Sequence, residues 1–178
     1  MKKTVLILLM ILGVVILDQF SKGVLLYLIT GGVPWFGAAW DVVPVPYLMT
    51  PVLNFFNIVF TWNPGTSFSL FRALGESAPV LIILATSGII LWILYYLFHK
   101  AQRYEILPLA LIAGGAIGNL IDRIRFGAVV DFLDFHIGGY HWPAFNIADI
   151  CIVVGVGLYL IMWYVERRKC LKLTKGGK

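Results

Sequence analysis

Apolar residues occupy this chain in four long blocks, and charged residues fall mostly at the ends of those blocks. A helix needs about 20 apolar residues to cross a hydrocarbon core of roughly 30 Å. Four stretches approach or exceed that length, at about 5–29, 79–98, 106–121 and 147–165, and each predicts a membrane-spanning helix. The segment between the first two, about 30–78, follows a different pattern. It carries Pro34, Pro44, Pro46, Pro51 and Pro64, and its stretch from Val52 to Trp62 is rich in β-branched and aromatic residues, a strand or hairpin signal outside the membrane. Ser67 to Leu74 follows, with Phe68, Leu70, Phe71 and Leu74 spaced for a short helix in the headgroup plane. The expected fold is therefore an integral membrane protein, mainly α: a four-transmembrane-helix bundle with a small β-rich segment and a short interfacial helix outside the membrane. One membrane domain covers 1–178, with an outer loop at about 122–146 and a basic cytoplasmic tail at 166–178 that reads as a linker from Lys169 to Lys178.

Composition sharpens this picture. The chain is 60% hydrophobic and only 13% charged, with a mean hydropathy of +0.90, whereas a soluble domain is about 25% charged. Lipid is the solvent for most of it. The net charge of +5 does not point to nucleic acid, because the basic residues mark the ends of apolar runs and form no patch interleaved with aromatics. With four crossings, Lys2, Lys3, Lys100, Arg103, Arg167, Arg168, Lys169, Lys172, Lys175 and Lys178 share one side; Lys22, Arg72, Arg123 and Arg125 do not. Ten against four predicts that both termini are cytoplasmic. Tyr95, Tyr96, Tyr104, Trp163 and Tyr164 then belt the inner interface, and Trp35, Trp40, Trp62, Tyr140 and Trp142 the outer one. Lys2 and Lys3 before an apolar run resemble a signal peptide. No small-residue cleavage site follows and apolar character resumes after Asp18, so a retained helix is expected. Cys151 and Cys170 have no partners at metal-ligand spacing, and neither metal nor thiol chemistry is expected.

The candidate chemistry lies in the carboxylates Asp18, Asp122, Asp131 and Asp149, set in or beside apolar segments where charge is costly and usually functional. Asp18 sits about 20 Å into the first helix. Lys22 lies one turn further on, so the two can satisfy each other at i, i+4 and reach outward, a structural role weighed against a functional one. In the third span Ala110, Gly114 and Gly118 form a small-residue row that admits a neighbouring helix, and one more turn brings that row to Asp122. Asp122 thus points into the bundle, with Asn119 and Arg123 beside it. A purely architectural polar cluster is the rival reading. Asp131, flanked by Val130 and Phe132, is expected to be covered, and Asp134 to be an exposed loop carboxylate. Asn146 and Asp149 open the last span as an N-cap and an acidic N3 residue, which capping alone can explain. The start of a helix is also a favourable place for negative charge.

Two aspartates near one end of the bundle suggest a mechanism. If their carboxyls approach, like-charge repulsion leaves one proton shared between them. The carboxylate can then activate water while its protonated partner polarises a carbonyl. That is aspartic peptidase chemistry. The same acids can also carry a proton or cation, so a small proton-coupled transporter or channel is the alternative. Such a protein is expected to show inverted repeats and acids spread across the membrane. No repeat is evident here, and the acids gather at one end.

Five runs carry a resemblance. Asp18-Gln19-x-Ser21-Lys22, Asn63-Pro64-Gly65-x-x-Phe68-Ser69, Gly114-Gly115-Ala116-Ile117-Gly118-Asn119-x-x-Asp122-Arg123, Val129-Val130-Asp131-Phe132 and Phe145-Asn146-x-Ala148-Asp149 resemble, in order and across nearly the whole chain, the lipoprotein signal peptidase (signal peptidase II) family. That resemblance implies an aspartic endopeptidase of the bacterial inner membrane, with four spans, a small extracytoplasmic β-cradle and a periplasmic helix. Such an enzyme removes signal peptides from prolipoproteins, cutting before the cysteine that carries diacylglycerol. It implies that Asp131 and Asp149 are the catalytic dyad and that Asn119, Asp122, Arg123 and Asn146 position substrate or dyad. Asp18, Lys22 and Asn63 take supporting places. Thr66-Ser67 stands where the family often has alanines, a departure at the cradle edge and not in the chemistry. The expected partners are prolipoproteins bearing diacylglycerol-cysteine and membrane lipid. No nucleic acid, metal or cofactor is expected, and the chain is expected to act as a monomer with its active site near the extracytoplasmic face.

Overall fold

The computed structural model describes residues 2–30, 48–65 and 78–175. Its elements are α1 (Lys2–Thr30), β1 (Leu48–Leu53), β2 (Phe56–Asn63), α2 (Ala78–His99), a 3-10 turn (Arg103–Glu105), α3 (Ile106–Phe126), β3 (Val129–Ile137), β4 (Tyr140–His141) and α4 (Ile147–Lys175). Four apolar stretches in these helices are long enough to cross a membrane: Lys3–Leu28, Ala78–His99, Arg103–Phe126 and Ile147–Lys169. Leu9 of α1 is 61% exposed and Leu91 of α2 67%. Such faces are stable only in lipid, where apolar contact with the solvent carries no penalty.

Two helices outrun the sequence reading. The third span continues past 121 to Phe126 because Asp122 and Arg123 find partners inside the bundle and need not leave the helix. It ends at Gly127, whose φ of 70° turns the chain away while its N–H bonds the Arg123 carbonyl at 2.9 Å. The last helix extends to Lys175, so the basic segment expected to be a linker is helical as far as it is described. The expected interfacial helix at Ser67 to Leu74, Thr66-Ser67 and most of the 30–47 stretch lie outside the described residues.

Helix α3 is the hub, packed against α1, α2 and α4. Its glycines make this possible. A Cβ on Gly114 would stand 2.6 Å from the Val14 Cβ of α1, and one on Gly118 would stand 2.5 Å from the Asp18 carboxylate. Gly115 faces the other way, against the Ala148 carbonyl and Ile152 of α4. Below these contacts Ile7, Ile11, Ile93, Leu97, Ala110 and Ala113 form one apolar core; above them Leu25, Leu26, Phe60, Phe126, Val130 and Phe132 form a second under the sheet.

An alanine at Gly115 is expected to destabilise the bundle. Helix propensity favours alanine by about 1 kcal/mol, but the backbone oxygen of Ala148 cannot rotate away, and overpacking costs about 1–3 kcal/mol. Gly88 of α2 has nothing within 4 Å of its Cβ position, so Gly88→Ala is expected to be neutral or stabilising. Thermal unfolding of both variants in one detergent checks the contrast; equal midpoints would contradict it.

The strands form one antiparallel sheet in the order β1-β2-β3-β4. Asn63 pairs with Val129 and Thr61 with Asp131, which puts Asn63 diagonally across from Asp131 on the same face. Phe145 then bridges to Leu133, its carbonyl accepting from the Leu133 N–H at 2.8 Å. That bridge brings the start of α4 alongside β3.

Candidate active site

Asn146, the residue after this bridge, caps α4. Its Oδ1 accepts from the Asp149 N–H at 2.9 Å, and its own N–H donates to Asp149 Oδ2 at 3.3 Å, a reciprocal capping box. The capping role is therefore real, but it does not exhaust the residue. Asn146 Nδ2 donates to Asp131 Oδ1 at 2.7 Å and lies 3.1 Å from Asn119 Oδ1. One side chain thus ties Asp131, on a strand, to Asp149, on a helix.

Each aspartate has a second amide. Asn63 Nδ2 donates to Asp131 Oδ2 at 2.9 Å, and Asn119 Nδ2 donates to Asp149 Oδ1 at 2.8 Å. Asn63 is held in turn by the Gly65 N–H, which donates to its Oδ1 at 2.9 Å across the Asn-Pro-Gly turn; the φ of 74° at Gly65 makes glycine the natural occupant. Asp131 is 1% exposed, as its flanking residues predict, and Asp149 is half-buried. Burial is the largest influence on the Asp131 carboxyl and raises it. The Asn63 bond opposes that, the Asp149 charge raises it again, and the Asn146 bond opposes once more. The balance leaves it raised to about 7.

Behind the dyad lies a polar network. Lys22 Nζ donates to Asp18 Oδ2 at 2.8 Å, Asp122 Oδ2 at 2.7 Å and Asn119 Oδ1 at 3.2 Å, which uses all three of its N–H groups. The i, i+4 pair with Asp18 is present. Lys22 does not reach outward, however: its side chain and both carboxylates are fully buried. A second aspartate and an asparagine make burial tolerable for the ammonium, where one partner would not. Gln19, which the sequence places in the run from Asp18 to Lys22 without a role of its own, bridges Asp18, Asp122 and the Gly118 carbonyl at 3.2, 2.9 and 3.2 Å. Asp18 Oδ1 also accepts from the Ala148 N–H at 3.0 Å, placing a negative charge on the first turn of α4. The network reaches the dyad through Asn119. With its Oδ1 facing Lys22 and Asn146, the amide can present only its NH2 group to Asp149.

Asp134 overturns its expected exposure. It is 3% exposed, bound by Asn57 Nδ2 at 2.7 Å and by His141 Nδ1 at 2.9 Å. Asn57 is its direct cross-strand partner, a pairing that single-strand reading misses. Among the described residues this cluster is separate from the dyad's amides.

Arg123 lies close enough to Asp149, Asp131 and Asp122 to feel the charge of each. Its Nη1 donates to the Asn119 carbonyl at 3.4 Å, while its Nε is buried with no partner among the described residues. Beside Asp149 opens a groove of about 440 Å3, otherwise lined by Trp142, Pro143, Ala144, Phe145, Ile150, Val153 and Val154. A larger groove, about 650 Å3 between α1 and α3, touches neither aspartate. Chemistry rather than volume marks the site.

The family model described as Signal peptidase (SPase) II matches residues 10–165. The chain belongs to the signal peptidase II family. A lipoprotein signal peptidase of Syntrophus aciditrophicus is 40% identical over 95% of this chain and 98% of its own length. One of Anaplasma phagocytophilum is 45% identical over 69% of this chain and 76% of its own. Two solved bacterial membrane enzymes, both determined by the in meso method, are also similar. One has a TM-score of 0.67 at 30% identity, covering 88% of this chain and 91% of that one. The other has a TM-score of 0.64 at 29% identity, covering 97% and 91%. Membership in the signal peptidase II family makes this chain a membrane protease that removes signal peptides, and the transporter alternative is set aside.

Proposed function

We propose that this chain, a lipoprotein-processing signal peptidase by family, cleaves prolipoproteins before the diacylglyceryl-modified cysteine, with Asp131 and Asp149 as its catalytic dyad. The observation that carries the proposal is the opening of Asp149 onto an apolar groove along α4 while its other side is tied through Asn146 to Asp131. A lipid-anchored substrate moves in the bilayer plane, and a groove on a lipid-facing helix admits it sideways. In this mechanism Asp131 enters protonated, in keeping with its raised pKa, and Asp149 serves as the base. Asp149 takes a proton from water, whose oxygen attacks the scissile carbonyl carbon. Asp131 gives its proton to the carbonyl oxygen, forming a neutral tetrahedral diol. Collapse re-forms the carbonyl, breaks the C–N bond and delivers the proton from Asp149 to the leaving nitrogen, and Asp131 recovers its own. Arg123, whose charge faces both aspartates, is placed to hold the peptide in register.

The dyad end of the bundle is extracytoplasmic in this reading, and both termini are cytoplasmic, supported by the ten-to-four asymmetry of basic residues. The working unit in this reading is one chain in lipid.

A pH profile tests the proton assignment. Below about 7 Asp131 is protonated and can give its proton to the carbonyl; as pH rises through that value the proton is lost. The cleavage rate is expected to fall on this alkaline limb by about tenfold per pH unit. The Asn63 bond favours the ionised form, so Asn63→Ala is expected to move the limb to higher pH. Cleavage that continues to rise above pH 8 would contradict the assignment.

A further inference from the structure

Far from the dyad, at the opposite end of α1, the structure holds a further cavity. It measures about 460 Å3 and is lined by Lys3, Leu6, Met10, Arg103, Ile106 and Leu107. Lys3 and Lys22 are nineteen residues apart on α1, about 28 Å at 1.5 Å per residue. Lys3 and Arg103 are the lining residues nearest the ends of their spans and give a cationic rim, while Leu6, Met10, Ile106 and Leu107 lie about one to two turns further along. Lys3 and Arg103 are the first residues of the spans Lys3–Leu28 and Arg103–Phe126, so the rim is at headgroup level and the walls are at acyl level. Lys3 Nζ donates to the Ala101 carbonyl at 2.8 Å, which anchors the ammonium over the opening and leaves two of its three N–H groups for a ligand. Arg103 is exposed, and no carboxylate pairs with it or with Lys3 among the described residues.

We propose that this cavity binds an anionic glycerophospholipid, its phosphate between Lys3 and Arg103 and one acyl chain along Leu6, Met10, Ile106 and Leu107. A soluble anion would leave the apolar walls uncovered, and a zwitterionic lipid would bring its own ammonium beside the two cations, opposing the attraction of its phosphate. Basic pockets between transmembrane helices are a recurrent solution for acidic lipid headgroups. The site lies outside the proposed catalytic machinery and does not depend on it.

The test uses the full-length protein, delipidated in neutral detergent, and follows its thermal midpoint. The additives are phosphatidylglycerol, phosphatidylcholine of the same chains, and glycerol 3-phosphate. Phosphatidylglycerol is expected to raise the midpoint, while the other two give less than about a third of that rise. In the Lys3→Gln/Arg103→Gln variant the apparent affinity for phosphatidylglycerol is expected to fall about tenfold or more, from roughly 1 kcal/mol per cation. Met10→Trp, which fills the groove and keeps both charges, is expected to lose the rise as well. An equal rise with phosphatidylcholine or with glycerol 3-phosphate overturns the proposal. So does an undiminished response in the charge variant or the groove variant. The wild-type comparison stands even where a variant fails to fold.

Discussion

Asp131→Asn and Asp149→Asn are each expected to lower cleavage of a lipidated prolipoprotein by at least about 10³-fold, since each removes a proton donor or acceptor from the reacting atoms. The effects are not expected to add in the double variant, because a dyad acts as one unit. Folding must be checked separately at Asp131. Both its oxygens accept from amide NH2 groups, at 2.9 and 2.7 Å, and an asparagine there would turn an NH2 toward one of those donors. That mismatch costs about 1–3 kcal/mol. Asp149→Asn faces the same problem toward Asn119 or the Asn146 N–H, eased by its partial exposure. Variants that unfold at a normal temperature but cleave nothing satisfy the expectation. A folded variant that retains a tenth of the wild-type rate does not.

Lys22→Met is expected to be the most destabilising single change in the membrane part of the chain. It leaves Asp18 and Asp122 fully buried without the only cation they share among the described residues, at a cost of about 3–5 kcal/mol, or a fall on the order of 10 °C in thermal midpoint. Activity should fall further than stability explains, because Asn119 loses the ammonium that orients its amide toward Asp149. Asp18→Asn on the Lys22→Met background restores the wild-type net charge of the cluster and is expected to recover part of the lost stability. If thermal melts show Lys22→Met within about 1 kcal/mol of wild type, the ammonium is not balancing the buried carboxylates.

The four spans are legible in the sequence because a membrane demands about twenty apolar residues in a row, a signal too long to arise from local propensity. The inward aim of Asp122 is legible for a similar reason: Gly114 and Gly118 mark the close face of α3, and that face carries the carboxylate onward to Gln19 and Lys22. Long-range pairing is what the sequence hides. Lys22 reads as an outward-reaching partner of Asp18 until α3 supplies Asp122 and Asn119 from about a hundred residues away. Asp134 reads as solvent-exposed until β2 places Asn57 opposite it. Gln19 carries no signal in its own neighbourhood, since its three acceptors include one side chain and one carbonyl of another helix. In Asn146 the capping and dyad readings compete on paper, yet its backbone N–H and Oδ1 serve the cap while its Nδ2 serves Asp131.

The central claim is tested most directly by offering purified wild-type protein, in detergent, one prolipoprotein in two forms, diacylglyceryl-modified and unmodified, and sequencing the new N-terminus. Cleavage of the modified form alone is expected, with the lipidated cysteine as the first residue of the product. Equal cleavage of both forms, or a cut elsewhere in the chain, would contradict it.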